Sequence, residues 1–184
     1  SDVDPFIVMD VMESARIAEE KGKDIIHMEV GQPGTPAPKI AKDYITNEIN
    51  KNNLGYTVSL GLPALRTKIS KLYGDWYNLD LNPNRIVVTT GSSGAFILSF
   101  SALFDSGDRV GIGSPSYPSY RQILKSLSLE TVDIQTKLQN RFQPVPEDIT
   151  DNNLNGILVA SPANPTGSML DKQSLENLIN TENE

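Results

Sequence analysis

The sequence contains no cysteine and a single histidine, His27. The absence of cysteine excludes disulfides, thiolate metal ligands and a cysteine nucleophile, so the fold must be held together by packing alone. A Ser/His/Asp triad or a histidine-based metal site would have to include His27. Because a lone histidine in a strand-like run is more often packed or solvated, we expect no metal site.

Basic residues are also few. Lys and Arg together number 16 against 23 Asp and Glu, which gives a net charge of −7 at pH 7. Binding to a phosphate backbone requires the opposite balance, so nucleic acid is not an expected partner.

Long apolar runs are missing as well. No segment approaches the ~18 to 20 consecutive apolar residues of a membrane span, and the acidic N-terminus, residues 1–4, is unlike the basic start of a signal peptide. We therefore expect a soluble, cytoplasmic protein without a membrane partner. The chain starts with serine rather than methionine and ends on a polar segment, 181–184. Both ends are compatible with a piece of something longer.

The residues that are present can bury a core, because the chain has 184 residues of which 38% are hydrophobic. Hydrophobic periodicity predicts helices that alternate with strands. Helices are expected over 5–22, 40–49, 63–77, 95–104, 117–127 and 174–179, and strands over 25–30, 85–90, 109–113, 130–135 and 155–161. This alternation predicts an α/β fold with a mostly parallel sheet and helices on both faces.

The best internal boundary is the segment 31–38, which is dense in glycine and proline and must be irregular. The sequence therefore predicts an N-terminal helix and arm over residues 1–35. Residues 36–184 then form the first part of a larger domain.

Three loops that follow predicted strands are the places to look for function, since ligands bind beyond the carboxyl ends of strands in open α/β sheets. The first loop, Gly91-Ser92-Ser93-Gly94, is small, rich in hydroxyls and opens into a helix. Its backbone N–H groups and serine hydroxyls suit a phosphate. A tight turn of small residues without a ligand is an equally good interpretation, because the loop matches neither common phosphate-binding motif.

The second loop presents the ring of Tyr117 between Pro115 and Pro118, which stiffen the backbone. A rigid ring beside a phosphate site is a platform on which a planar aromatic ligand can stack. Taken alone, however, the same tyrosine is more often a core-filling residue beneath a loop.

The third loop places Asn164 directly before Pro165 at the end of an apolar strand. Its side-chain amide is available there to hydrogen-bond a ligand oxygen. Asn-Pro followed by Gly167 is also ordinary turn chemistry. It would be a coincidence if three consecutive strand-end loops all had features that suit a ligand and none of them bound one.

In their order and spacing these segments resemble the N-terminal half of a class I/II aminotransferase, a fold type I pyridoxal-phosphate enzyme. The resemblance covers nearly the whole chain. Its main motifs are VTTGSSGA at 88–95, PSYPSY at 115–120 and SPANPTG at 161–167. Upstream matches are Val30–Pro33, Gly55–Thr57, Gly61, Leu65 and Arg66. The family's large domain would begin after residue 35, with residues 1–35 part of its small domain.

The resemblance implies that the cofactor is pyridoxal 5′-phosphate. Gly91, Ser92 and Ser93 would hold its phosphate at the start of the following helix. Tyr117 would stack on the pyridine ring, and Asn164 would hydrogen-bond the phenolic oxygen of that ring and tune its electronics.

The resemblance also assigns two upstream residues. Tyr56 would reach the phosphate of the neighbouring subunit's cofactor, which implies a homodimer with shared sites. Gly31 would lie where the backbone approaches the substrate. The implied substrates are an amino acid and a 2-oxo acid, exchanged in an amino-acid metabolic or biosynthetic reaction.

One part of the family's machinery lies outside the sequence. The lysine that links to the cofactor, the aspartate paired with the pyridine nitrogen and the substrate-binding arginine all follow the Asn-Pro-Thr-Gly motif in the family. Only seventeen residues follow Gly167 here, and Lys172 has no matching context. We therefore assign no catalytic residue and expect this chain alone to be inactive.

Three alternatives remain open at this point. The same cradle serves pyridoxal-phosphate lyases that cleave C–S bonds or eliminate at the β-carbon. It is also compatible with a non-catalytic sensor domain of a transcription regulator, or with a structural scaffold that has lost the cofactor.

Overall fold

The computed structural model describes residues 3–150 and 152–181. Strands and helices alternate after residue 108, whereas helices joined by irregular segments precede it. The helices are α1 (Ile7–Glu20), α2 (Lys39–Ile49), α3 (Pro63–Tyr77), α4 (Gly91–Leu103), α5 (Pro118–Ser126), α6 (Pro146–Thr150) and α7 (Lys172–Thr181). The strands are β1 (Arg109–Ser114), β2 (Glu130–Gln135) and β3 (Gly156–Leu158), and short 3-10 turns cover Pro83–Arg85 and Leu138–Asn140.

The three strands form a parallel sheet in the order β2-β1-β3. Val110 of β1 lies opposite Thr131 of β2 and opposite Gly156 of β3. Parallel neighbours need crossover connections, which α5 and α6 supply here. The predicted parallel α/β arrangement is confirmed, and the carboxyl ends of β1 and β3 lie at the same edge of the sheet.

The core lies against the central strand. Val110, Ile112 and Leu124 of α5 are at most 1% exposed, and Phe100 of α4 belongs to the same buried cluster. Each such side chain contributes about 1.5–3 kcal/mol by leaving water. A side chain at Gly156 would displace this packing, because its Cβ would lie 2.5 Å from the Phe104 ring.

The chain divides into two compact units. One contains the sheet and consists of the described residues within 1–6 and 90–184; the other is Ile7–Thr89. Within 7–89, all of which the structure describes, Arg66 is the only buried residue. Its guanidinium donates a hydrogen bond to the Pro83 carbonyl at 3.1 Å and ties α3 to the 3-10 turn. The predicted domain boundary at residue 35 stays a prediction.

Two predicted strands are wrong. Residues 25–30 are irregular, and Ile26 and Met28 are largely exposed. Residues 85–90 start in a 3-10 turn at Arg85 and continue without strand structure, with the Val88 N–H donating to the Leu60 carbonyl at 3.1 Å. Neither segment pairs with a strand among the described residues, and an apolar run becomes a strand only when a neighbour completes its hydrogen bonds.

Helix ends also differ from the predictions. The first helix begins at Ile7 rather than Pro5, and the Asp4 carboxylate before it lies 3.2 Å from the Lys125 ammonium. Strand β3 is only three residues long, and α6 was not predicted. Asp171 stands directly before α7, and its carboxylate accepts a hydrogen bond from the Ser174 N–H at 2.8 Å.

Within the described ranges, none of the helices combines the length and the apolar character needed to cross a membrane.

Candidate functional site

The first loop is the opening turn of α4 rather than a separate turn before it. Gly91 has a φ of +77°, and a Cβ built on it would meet no atom within 4 Å. Ser92 and Ser93 are exposed, and the first turn contains no acidic side chain. The N–H groups of a first helical turn have no partner within their own helix, so this end of the thirteen-residue helix favours an anion.

Tyr117 stands immediately before α5 and is partly buried. Its ring meets those of Phe6 and Tyr120 edge to face, with centroids 6.1 Å and 5.4 Å away. It also packs against the buried cluster. The core-filling interpretation is therefore correct for part of this ring, whereas its stacking on a ligand stays a prediction.

Tyr120, on the first turn of α5, is a buried phenol beside Tyr117. Burial raises its pKa, and the neighbouring Tyr117 raises it further. Its hydroxyl therefore stays neutral near pH 7 and can contribute packing or a hydrogen bond, but not negative charge.

Asn164 is exposed within a tight loop that follows β3. The Ala163 N–H donates to the Ser168 carbonyl at 2.8 Å, and the Gly167 N–H donates to the Ala163 carbonyl at 2.7 Å. Thr166 and Ser168 hydroxyls lie 2.9 Å apart. These bonds fix the backbone on both sides of Asn164 and leave its amide at the surface.

Gln143 is a site residue that sequence reasoning missed. It lies in the segment between β2 and β3, and only 4% of its surface is exposed. Its amide donates to the carbonyls of Ala160 and Ser168 at 3.1 Å and 3.0 Å. The only sign of it in the sequence is that a polar residue stands before two prolines, Pro144 and Pro146. That pattern is too common to identify Gln143 as a site residue.

The structure brings the second and third loops together. Pro115 and Ser116 line the same shallow cavity as Gln143 and Asn164. This cavity opens at the carboxyl ends of β1 and β3, where ligands are expected in such sheets.

The helix that begins at the first loop, α4, packs against them through an aromatic contact. Phe96, in the second turn of α4, meets Tyr120 with ring centroids 5.1 Å apart at an angle of 74°. Tyr120 also lines the cavity. The second turn of α4 is thereby held beside the start of α5.

Gly31 and Tyr56 belong to the other unit, Ile7–Thr89. Both lie in irregular segments and are exposed, Tyr56 completely. A Cβ on Gly31 would meet no atom within 4 Å. Their predicted roles at substrate and at the neighbouring subunit's phosphate stay predictions.

Lys172 is the first residue of α7 and is exposed, with its ammonium 3.6 Å from the Glu176 carboxylate. This position gives no reason to assign it a catalytic role. Among the described residues, no group of three or more acidic or histidine side chains could hold a metal ion.

The chain belongs to the class I and II aminotransferase family, whose model matches residues 23–184. Over 175 residues it is 42% identical to a valine–pyruvate aminotransferase from Mycobacterium tuberculosis, covering 94% of this chain and 45% of that protein. The chain spans about half the length of the curated relatives it matches.

Solved structures give the same result. A crystal structure of a protein from Silicibacter pomeroyi matches all of this chain and 47% of its own, with a TM-score of 0.87 and 58% identity. An aminotransferase from Mycobacterium tuberculosis matches 99% of this chain and 48% of its own, with a TM-score of 0.92 and 40% identity. The fold is therefore that of fold type I aminotransferases, represented over about half their length.

Members of this family use pyridoxal 5′-phosphate. The residues present fit that group. The first turn of α4 and its two serines offer neutral donors to a phosphate, and the space beside Gly91 is open. The Asn164 amide is exposed and lines a cavity shared with the loop that carries Tyr117.

Proposed function

We propose that this chain forms the cofactor-binding half of an aminotransferase that moves an amino group from an amino acid to a 2-oxo acid. One observation carries the proposal. In a chain of this family, the loops that carry Tyr117 and Asn164 share a cavity at the carboxyl edge of the sheet, and α4, which begins at Gly91, packs against Tyr120 in that cavity through Phe96.

Phosphate binding falls to the start of α4. The Ser92 and Ser93 hydroxyls donate hydrogen bonds to phosphate oxygens, and the first-turn N–H groups add donors along the helix axis. Gly91 has no side chain, so the backbone can approach the anion closely. These groups are all neutral, so they hold and orient the ligand but do not take part in proton transfer.

Ring positioning falls to the other two loops. Tyr117 presents an aromatic surface held by Phe6 and Tyr120. The Asn164 amide N–H donates a hydrogen bond to the phenolic oxygen and fixes the rotation of the ring. When bound, the cofactor supplies an electron sink for the bond that breaks at the substrate Cα.

The names of the relatives support amino transfer over the lyase, sensor and scaffold alternatives. We assign Gly31 to the substrate side and Tyr56 to the cofactor phosphate of a neighbouring subunit in a homodimer. A cytoplasmic location and a role in amino-acid biosynthesis stay predictions, as does the inactivity of this chain alone.

Calorimetric titration of the chain with pyridoxal 5′-phosphate and with pyridoxal tests the proposal. We expect the phosphate ester to bind at least about tenfold more tightly, since only it reaches the donors of α4. The double variant Ser92→Ala, Ser93→Ala reduces this preference to what the backbone N–H groups supply, whereas Ser99→Ala, further along the same helix, keeps it in full. Equal affinity for both ligands in the unsubstituted chain contradicts the proposal.

Amino transfer itself is tested by supplying the second half of a relative as a separate chain. We expect 2-oxo acid to form from a mixture of amino acids only when both chains and the cofactor are present. Elimination products such as ammonia and pyruvate, without an amino acceptor, would favour the lyase instead.

A further inference from the structure

Gln143 is unusual because it buries a polar side chain next to the candidate site. It and Arg66 are the buried polar or charged residues among the described parts of the chain. A buried amide is stable only when its donors are satisfied, so the position of Gln143 requires specific partners. Those partners reveal its role.

The partners of Gln143 lie at the two ends of one loop. Ala160 precedes residues 161–167, Ser168 follows them, and the carbonyls of both accept from the same Gln143 nitrogen. That nitrogen also lies 3.2 Å from the Ser168 hydroxyl. One side chain therefore ties together the points where the loop with Asn164 leaves β3 and where it returns.

We propose that Gln143 is a positioning residue that holds this loop closed and thereby keeps the Asn164 amide aimed at the ligand. The inference rests on the proposed role of Asn164 at the phenolic oxygen. Two observations support it beyond the hydrogen bonds. Gln143 lines the same cavity as Asn164, and the Ser168 carbonyl that it binds also accepts from the Ala163 N–H, the residue before Asn164.

Packing alone does not explain a glutamine here. An apolar side chain of the same length would fill the space and avoid the cost of burying an amide. It would also leave the Ala160 and Ser168 carbonyls without this donor. The Gln143 amide therefore serves to hydrogen-bond the ends of the loop rather than to fill space.

Hydrogen–deuterium exchange without ligand tests the loop contact directly. Gln143→Met keeps the length and removes the donor, and Gln143→Glu places carboxylate oxygens against the two carbonyls. We expect the Ala163 and Gly167 N–H groups to exchange about tenfold faster in the Met variant and faster still in the Glu variant. Gln139→Met, at an exposed position in the same segment, serves as the matched control. Unchanged exchange in both Gln143 variants overturns the proposal.

Ligand binding tests whether the contact acts through Asn164. Pyridoxal 5′-phosphate is compared with its 3-deoxy analogue, which lacks the phenolic oxygen. We expect Gln143→Met to weaken binding of the cofactor about tenfold, to leave the analogue nearly unaffected, and to cause no further loss in an Asn164→Ala background. Equal losses for both ligands would show a general structural role and overturn the proposal.

The two experiments separate the hypotheses. If the unsubstituted chain binds both ligands equally, the role of Asn164 in the proposed function fails, and with it the purpose assigned to Gln143. If the unsubstituted chain prefers the cofactor but Gln143→Met keeps that preference, the proposed function stands and the role of Gln143 is wrong.

Discussion

The rings of Phe96 and Tyr120 meet edge to face with centroids 5.1 Å apart. Phe96 lies five residues after Gly91, and Tyr120 lies three residues after Tyr117. This contact therefore links the second turn of α4 to the opening turn of α5, and these two helices carry the proposed phosphate and ring sites. The geometry of the site depends on the aromatic core beneath it.

Phe96→Ala should lower the free energy of unfolding of the sheet-containing unit by about 2–4 kcal/mol, because a partly buried ring leaves a cavity against Tyr120 and Phe100. Urea unfolding followed by circular dichroism measures this change. The neighbouring Ile97 is exposed, so Ile97→Ala should cost less than about 1 kcal/mol. Equal losses in the two variants would contradict the role given to the aromatic contact.

Ser92→Asp should have opposite effects on stability and on ligand binding. A carboxylate in the first turn of α4 interacts favourably with the helix dipole and should stabilise the ligand-free chain by about 0.3–1 kcal/mol. The same charge repels a phosphate, so affinity for pyridoxal 5′-phosphate should fall by more than about tenfold.

The control for this effect is Ser99→Asp, which lies in the middle of α4 where the helix end exerts little influence. Thermal unfolding and calorimetric titration measure both quantities. If Ser92→Asp leaves the cofactor affinity unchanged, the phosphate does not bind at this helix end.

Tyr117→Ala should weaken cofactor binding, whereas Tyr117→Phe should retain most of it. Stacking needs the ring and not the hydroxyl. We expect a loss of about tenfold for the alanine variant, measured by the absorbance of bound cofactor. Because Tyr117 also packs on the core, the free energy of unfolding of each variant should be measured in parallel. A full loss in the phenylalanine variant would show that the hydroxyl, not the stacked ring, binds the ligand.

His27 should titrate with a raised pKa of about 9, mainly because Glu29 and then Glu19 hydrogen-bond its ring. The ring nitrogens lie 2.6 Å from the Glu29 carboxylate and 2.9 Å from the Glu19 carboxylate. The folded chain therefore binds this proton more tightly than the unfolded chain. Its stabilising contribution is fully present below about pH 6.5 and is lost as the pH rises through about 9.

Nuclear magnetic resonance can follow this titration without assignment, because His27 is the sole histidine in the sequence. Glu29→Gln should lower its pKa towards the ordinary value. Glu13→Gln, which affects a carboxylate bound to Arg16 on the same helix as Glu19, should not. A midpoint near 6.5 in the unsubstituted chain would show that the two carboxylates do not bind the ring in solution.

Predictions from sequence succeeded where the signal is local. The strands Arg109–Ser114 and Glu130–Gln135 and the helix α3 follow from the spacing of apolar residues along the chain. The contact between Asp171 and the Ser174 N–H at the start of α7 is equally local, because the two residues are three apart and need no tertiary contact.

Predictions failed where the structure of a segment depends on a partner that is distant in the chain. Residues 25–30 have the pattern of a strand but pair with no strand in the described chain, and His27 is bound by Glu19 and Glu29 instead. Gln143 could not be found because its role depends on carbonyls seventeen and twenty-five residues away.

The sequence by itself determined the α/β class, the three motif loops, their order and the family they indicate. These properties depend on residue type and spacing along the chain. Only the tertiary structure decided that the loops of Ser116 and Asn164 share a cavity and that the Phe96–Tyr120 contact joins α4 to them. It also decided that Tyr117 is partly used for packing. Contacts of this kind bring together residues far apart in the chain, and hydrogen bonding and burial select them only once the sheet has formed.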